Sequence, residues 1–259
     1  MGIRIITALL AAWLAAQALA QTSVTLSYQG DALVYDGELS AAANQRLFTL
    51  YDAAMQKPHT LVISSSGGAF NLGLALGEWV AQHRLRVHVP RYCNSACANY
   101  VFTAASQREL GYHAVLAFHG GMDEAHRQRD AYLARFAPQR QAEARQRFAA
   151  EVKEARQREL AFFARIGVDA QITSYGYQHF PRIMRQYKAW SYSLPMLRRF
   201  GVGPISISDN ERWLPRPADD GLLMIVAPQR YGCLPAGRVT DLLYDCVTDQ
   251  PLPLSVLGD

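Results

Sequence analysis

Short apolar runs alternate with helix-like segments between residues 60 and 105. The runs 60–63 and 85–89 have the length of buried strands, while 72–80 has the spacing of an amphipathic helix. A second, mostly apolar helical run, 96–105, follows the second strand. Strands that are separated by helices pair in parallel through right-handed crossovers. The sequence therefore predicts an α/β fold with a mostly parallel sheet.

Each strand-like run leads to residues that suit acyl-transfer chemistry. The first ends in SSSGG (64–68), the second precedes CNSAC (93–97), and a third apolar run ends at HGG (119–121). Acyl transfer needs a nucleophile, a base and N–H donors for the oxyanion. The candidates are, in that order, Ser95, His119, and the N–H groups of Gly67, Gly68 and Ala96.

Each of these residues also has an ordinary structural explanation. Serine is a preferred N-cap, so Ser95 could simply begin the helix that follows it. A single histidine is commonly satisfied by backbone groups, and Gly-Gly after a strand usually marks a turn. The G-x-S-x-G pattern of other hydrolases is absent. The functional interpretation therefore depends on the order and spacing of the three motifs together.

The three motifs resemble those of the ClpP/crotonase superfamily, and especially of its exported ClpP-like and signal-peptide-peptidase-like serine peptidases. The segment 65–68 is similar to the Ser-Pro-Gly-Gly oxyanion loop of ClpP, with Ser66 in place of proline. Ser95-Ala96 is similar to the nucleophile segment, 118–120 to the segment around the catalytic histidine, and 192–202 to the signature that closes the family domain. The resemblance implies a spiral of ββα units.

The resemblance fails at the third catalytic residue. ClpP carries an aspartate four residues before the serine that matches Ser193, whereas this chain has Ala189 there. Asp169 is a candidate substitute, although it does not align with the family motif. Lys188 offers a second option, a serine–lysine pair, which requires burial so that the amine loses its proton. The sequence leaves this third position open.

The first twenty residues have the pattern of a secretory signal. Arg4 precedes an apolar run, 5–16, that is short for a membrane span, and ALA (18–20) matches a cleavage site. An uncleaved N-terminal anchor is the alternative, and it is the one route that we see to membrane association. We therefore expect an exported protein, periplasmic or secreted, whose mature chain begins at Gln21.

Four cysteines in an exported chain predict two disulfides. Proximity in the sequence favours Cys93–Cys97, which would bracket Ser95, and Cys233–Cys246. Two buried thiols are the alternative for the first pair. The second bridge would staple a small C-terminal extension. The predicted domains are thus a signal peptide (1–20), a ClpP/crotonase-like domain (21–208) and this extension (209–259).

Residues 123–165 predict a long helical arm. The segment is rich in alanine, arginine, glutamine and glutamate, and its one proline, Pro138, predicts a break. A solvated helix, an oligomerisation handle and a lid all fit this composition, and we favour an arm that packs on a partner or on the domain edge. The net charge of +4 is mild and spread over helices that also carry acidic residues, so no nucleic-acid partner is expected.

The motifs favour an exported serine hydrolase, most simply a peptidase acting on a peptide or protein substrate. Oligomerisation buries the sites of ClpP-type rings, so the resemblance also implies a homo-oligomer. A catalytically inactive binding or assembly module is the alternative; an acyl-CoA enzyme is disfavoured because CoA thioesters are cytosolic. The seven histidines are scattered and no H-E-x-x-H or C-x-x-C pair occurs, so we expect no metal or other cofactor.

Overall fold

The computed structural model describes residues 25–181, 183–185, 189–208, 213 and 215, and the backbone of three C-terminal strands. The predicted signal peptide, Lys188, Cys233 and Cys246 lie outside the described residues, as does most of the predicted extension. Within the described part, no helix is both long and apolar enough to cross a membrane.

Most of the β-structure belongs to one six-stranded sheet. Its strands, in spatial order, are β1 (Thr25–Gln29), β2 (Ala32–Asp36), β3 (Thr60–Ser64), β4 (Arg86–Val89), β6 (Gln107–Leu110) and β9 (Ile205–Ile207). The first two strands form an antiparallel hairpin, and every later pair is parallel. The predicted mostly parallel sheet is therefore confirmed.

A second layer of short strands carries the candidate site. In it, β5 (Tyr92–Asn94) pairs in parallel with β7 (Val115–Ala117), and β8 (Ala189–Tyr192) pairs in parallel with β10 (Leu223–Val226). Single bridges, Ser65 to Cys93 and Phe118 to Trp190, connect the end of β3, β5, β7 and β8. The short strands therefore form pairs of their own that are bridged to the end of β3. A last strand pair, β11 (Leu243–Asp245) with β12 (Gln250–Leu252), is antiparallel.

Helices cross between the strands, and their ends follow local capping rules. The α-helices are α1 (Ala41–Ala53), α2 (Phe70–Gln82), α3 (Arg129–Leu133), α4 (Gln141–Ile166), α5 (Tyr175–His179) and α6 (Leu194–Arg199). 3₁₀ helices cover Met122–Gln128, Pro138–Arg140, Ala170–Thr173 and Ile183–Arg185, and a π-helix covers Cys97–Phe102. Ser40 and Ser193 accept N-cap hydrogen bonds, and Gly167, with φ of 70°, ends α4.

Two glycines allow α2 to pack closely against the π-helix that follows Ser95. A Cβ on Gly73 would lie 2.6 Å from the Ala96 Cβ, and one on Gly77 would lie 2.4 Å from the Tyr100 carbonyl oxygen. Real side chains do not tolerate such approaches, so both positions need glycine. The start of the π-helix is therefore held at a fixed, short distance from α2.

The predicted arm folds back onto its own domain. It breaks at Pro138, as predicted, and its long helix α4 buries Phe162 and Phe163 against Tyr100, with ring centroids 6.0 Å apart in each pair. Arg158 pairs with Glu78 of α2. The arm thus packs on the domain edge, one of the two arrangements that we favoured.

Arg108 is buried in the core, and its charge is held by backbone carbonyls. Its guanidinium donates to the carbonyl oxygens of Phe102 (3.0 Å), Thr103 (2.6 Å) and Gly203 (2.8 Å). Burial lowers its pKa to about 10, so the group stays charged at neutral pH. Two of the three carbonyls lie at the C-terminal end of the π-helix that follows Ser95, where the helix dipole favours a cation.

Arg108→Gln is expected to lower the free energy of unfolding by about 3 kcal/mol, because it leaves buried carbonyls without donors. Urea denaturation followed by circular dichroism measures this loss. Arg86→Gln is the matched control: the residue is exposed on the neighbouring strand, and its replacement should change stability by less than about 0.5 kcal/mol. Equal losses of unfolding free energy in Arg108→Gln and Arg86→Gln would show that the buried hydrogen bonds of Arg108 do not stabilise the fold.

Candidate active site

Ser95 has a backbone conformation that is rare for any residue other than glycine. Its φ is 56°, in the left-handed region. Its N–H donates to the Ala117 carbonyl at 2.6 Å, and its own carbonyl accepts from the Asn99 N–H at 2.8 Å. Left-handed residues of this kind persist only where their surroundings hold them, and they cluster at functional sites. A simple N-cap has an extended backbone instead, so the ordinary explanation does not describe Ser95.

A disulfide brackets Ser95 on both sides. Cys93 and Cys97 are bonded with a Cα separation of 5.2 Å, and both are fully buried. The predicted bridge between them is confirmed. It ties the end of β5 to the first turn of the π-helix, so the tight turn at Ser95 is closed covalently. The second predicted bridge, Cys233–Cys246, remains a prediction because it lies outside the described residues.

Gly67 lies directly against Ser95, but its role differs from the predicted one. With φ of 95°, it would place a Cβ 2.6 Å from the Asn94 carbonyl oxygen and 2.7 Å from the Ser95 Cβ. Its N–H donates to the Ser65 hydroxyl at 3.1 Å. The N–H of Gly67 is therefore occupied and does not serve as the predicted oxyanion donor; the residue instead permits the close approach of the two loops.

The other two predicted donors remain available. Within the described residues, neither the Gly68 N–H nor the Ala96 N–H forms a hydrogen bond. Both residues line the same cavity as Ser95. Unpaired N–H groups beside a serine at the start of a helix have the arrangement of an oxyanion hole.

His119 is brought to Ser95 by the pairing of β5 with β7. Asn94 pairs with Ala117 in that register, so Ser95 and His119 follow neighbouring, parallel strand ends. Phe118 is buried, and the next side chain, His119, points the other way and is exposed along the cavity. No hydrogen bond joins Ser95 to His119 within the described part of the chain. Catalytic hydrogen bonds often tighten only when substrate binds.

Of the two candidates for the third catalytic residue, only Asp169 is described, and no hydrogen bond or ion pair joins it to His119 among the described residues. The Asp169 carboxylate accepts the Gln171 N–H at 2.9 Å and caps the 3₁₀ turn Ala170–Thr173. Lys188 lies outside the described residues. The backbone next to Ala189 has a different task, because Trp190 exchanges hydrogen bonds of 2.7 and 2.8 Å with Phe118. This bridge fixes the backbone immediately before His119.

The arm roofs a cavity of about 620 Å³ above Ser95 and His119. Its walls include aromatic and apolar side chains from both the domain and the arm, among them Phe70, Tyr132, Phe148 and Val152. A second cleft, of about 660 Å³ and lined by Glu78, Arg84 and Arg165, contains none of the candidate groups. Among the described residues, no group of three or more histidine, cysteine or carboxylate side chains could hold a metal ion.

A buried polar network, which the sequence did not indicate, lies behind the cavity. The Glu159 carboxylate accepts from the Tyr100 hydroxyl at 2.6 Å, from the Met122 N–H at 3.3 Å and from Arg156 at 3.1 Å. Arg156 also binds Asp123. Burial raises the pKa of the Glu159 carboxyl and also raises that of the Tyr100 hydroxyl. The network connects the arm to the loop after His119.

Comparison with solved structures finds distant similarity to proteases and to a CoA enzyme. The chain is similar to ClpP1 from Listeria monocytogenes (17% identity, 50% of this chain and 76% of that chain, TM-score 0.33). It is also similar to a membrane-bound stomatin-specific protease, 1510-N (9% identity, 76% and 96% covered, TM-score 0.40). A third match, methylmalonyl-CoA decarboxylase, shares 7% identity over 38% of this chain and 48% of that one, with a TM-score of 0.29.

These similarities concern the ClpP/crotonase fold alone. No family model and no curated protein matches the sequence. The chain spans only about half the length of the decarboxylase. Because the same fold supports peptidases and CoA enzymes, the choice between activities has to come from the residues around Ser95.

Proposed function

We propose that this protein is an exported serine hydrolase, a peptidase in which Ser95 is the nucleophile and His119 the general base. One observation carries the proposal. Ser95 is held in a left-handed turn beside the unpaired N–H groups of Gly68 and Ala96, in a cavity that it shares with His119. A serine that merely caps a helix has no need of that conformation, those donors or that cavity.

The reaction would follow the two-step course of serine acyl transfer. The Ser95 Oγ attacks the substrate carbonyl while its proton passes to the His119 ring, and the oxyanion is held by the N–H groups of Gly68 and Ala96. His119 then gives the proton to the leaving group, and an acyl-serine ester remains. Water, deprotonated by His119, attacks this ester; the acid leaves and the Ser95 hydroxyl is restored.

The peptide or protein substrate is proposed from the shape and lining of the cavity. Aromatic walls from Phe70, Tyr132 and Phe148 suit apolar side chains next to the scissile bond. Export is proposed from the signal-like N-terminus together with the Cys93–Cys97 bridge, since disulfides form in oxidising compartments. A homo-oligomer is proposed from the family resemblance, and light scattering of the purified protein measures it.

Labelling with a fluorophosphonate probe tests the nucleophile. Oxidised protein spanning residues 21–259 should be modified at Ser95, as mapped by mass spectrometry, and Ser95→Ala should remain unmodified. Ser27→Ala, on the outer strand β1, is the matched control and should label at the wild-type rate. Hydrolysis of a peptide library compared with short aryl esters then separates a peptidase from an esterase.

Absence of labelling in folded, oxidised protein would overturn the proposal. It would favour the alternative, a binding or assembly module that retains the fold without catalysis. One observation favours this alternative: among the described residues, no carboxylate is bonded to His119.

A further inference from the structure

We infer that Glu159, on the arm helix α4, is the positioning residue for His119. It fixes the backbone that follows the histidine, whereas the acid of a catalytic triad binds the imidazole ring itself. The inference rests on the proposed function, because a positioned histidine matters only if His119 works as a base. It also gives the arm a task in the active site beyond covering it.

Glu159 is fully buried although it belongs to a helix whose outer face is rich in exposed charges. Both carboxylate oxygens lie 3.3 Å from the Met122 backbone nitrogen. One oxygen also accepts the Tyr100 hydroxyl at 2.6 Å, which connects the same carboxylate to the π-helix that begins beside Ser95. Glu159 therefore joins the helix that follows Ser95 to the loop that follows His119.

The loop is pressed against this carboxylate at a second point. A Cβ on Gly121 would lie 2.5 Å from the Glu159 Oε1 and 2.4 Å from the Thr173 Oγ1, so only glycine fits there. From the other side, the Asn99 side-chain amide donates to the Gly120 carbonyl at 2.8 Å. Two successive residues after His119 are thus held, one by Asn99 and the next by the packing against Glu159.

The backbone before His119 is fixed as well, by the paired hydrogen bonds between Phe118 and Trp190. The backbone is therefore restrained on both sides of His119, at Phe118 and at Gly120 and Gly121, while the imidazole ring is exposed to the cavity. Local restraint of this kind can set the direction of the imidazole without a carboxylate at its far nitrogen. A triad acid acts mainly by such orientation and by stabilising the imidazolium, and Glu159 would supply the first of these.

The packing of the arm against the domain does not by itself explain why a carboxylate, Glu159, is buried there. Burying the charge costs free energy, and an apolar residue of similar size commonly stabilises a helix contact as well or better. Arg156 has a second partner in Asp123, so it does not need Glu159 to be neutralised. The groups that depend on this carboxylate are the Tyr100 hydroxyl and the Met122 N–H.

Two variants of Met122 isolate the hydrogen bond that its backbone N–H donates to Glu159. Met122→Pro removes the N–H that Glu159 accepts, and proline is tolerated at the first position of a helical turn. Met122→Ala removes the same side chain but keeps the N–H, so it supplies the reference rate. We expect fluorophosphonate labelling of Ser95 to be about 10- to 100-fold slower in Met122→Pro than in Met122→Ala.

Glu159→Leu and its control Glu154→Leu test the other side of the bond. Glu154 is exposed on the same helix, and its replacement should leave the labelling rate unchanged. Glu159→Leu should slow labelling at least as much as Met122→Pro does, because it also removes the bonds to Tyr100 and Arg156. The double variant should be no slower than Glu159→Leu, because the bond to the Met122 N–H is already lost in that variant. Hydrogen exchange of the peptide that covers residues 118–124 should become faster in Glu159→Leu and in Met122→Pro.

The outcomes separate this inference from the proposed function. If wild-type protein labels but Met122→Pro and Met122→Ala label equally fast, Glu159 does not position His119 and the inference is overturned. If wild-type protein does not label, the proposed function fails. In that case, unchanged hydrogen exchange at residues 118–124 in Glu159→Leu and Met122→Pro would show that Glu159 does not hold the loop either. Faster exchange in these variants would show that Glu159 holds the loop even though the protein is not a hydrolase.

Discussion

His119→Ala is expected to slow acylation of Ser95 and substrate turnover by about 10³-fold or more. The Ser95 hydroxyl is a weak nucleophile at neutral pH, and His119 is the one basic side chain that shares its cavity among the described residues. Removal of the base from a serine–histidine pair costs factors of this size, while the oxyanion donors continue to supply some catalysis. Stopped-time labelling and turnover of the best peptide substrate both measure the loss.

His126→Ala is the control for this experiment. His126 is exposed in the same segment of the chain, and its ring contacts only the Asp123 carbonyl oxygen, at 3.1 Å, among the described residues. Its loss should leave both rates within about twofold of wild type. Added imidazole should restore part of the activity of His119→Ala, because the cavity is large enough to admit it. A His119→Ala variant that labels as fast as His126→Ala would rule out His119 as the base.

The parts of the fold that were predictable are those with a local periodic signal. The helix α2 has amphipathic apolar spacing, and β3 is a short apolar run that ends in the Gly-Gly loop. The order of the candidate groups along the chain could therefore be read without the structure. Their meeting in one cavity follows from parallel strands whose carboxyl ends lie at the same edge.

In the second layer, β7 was indicated only by the apolar run that ends before His119, and β5 had no signal of its own. Three residues, as in β5 or β7, cannot show an alternating pattern, and these strands exist because Ser65, Cys93 and Ala117 find partners far along the chain. The helix after Ser95 reads as an ordinary α-helix, whereas the close packing on α2 accompanies a π-helix. Such choices are decided by tertiary contact.

Glu159 shows most clearly why the remainder of the site was hidden. It is one of several glutamates in an arm of alternating charges, and its spacing does not distinguish it from Glu151 or Glu154. Its burial is decided by Tyr100, which lies 59 residues away in the sequence. A lone carboxylate becomes informative only when the chain has folded around it.

Gly67→Ala is expected to have the second large effect, on stability and on Ser95 together. Alanine at φ of 95° is strained, and its Cβ would lie 2.6 Å from the Asn94 carbonyl oxygen and 2.7 Å from the Ser95 Cβ. The two loops would have to separate, so we expect a loss of about 3 kcal/mol in the free energy of unfolding. Because the Gly68 N–H moves with that loop, labelling of the molecules that remain folded should also fall, by about 100-fold.

Gly30→Ala is the control that distinguishes the effect of backbone strain from that of steric collision. Gly30 also has a positive φ, of 62°, but a Cβ there would meet no atom within 4 Å. Its replacement should therefore cost only about 1 kcal/mol, the price of the left-handed conformation, and leave labelling of Ser95 unchanged. If Gly67→Ala lost no more stability than Gly30→Ala and kept its labelling rate, the close approach of the glycine loop to Ser95 would not shape the site. Loss of labelling at a small cost in stability would instead show that the position of the Gly68 N–H, and not the fold as a whole, limits the reaction at Ser95.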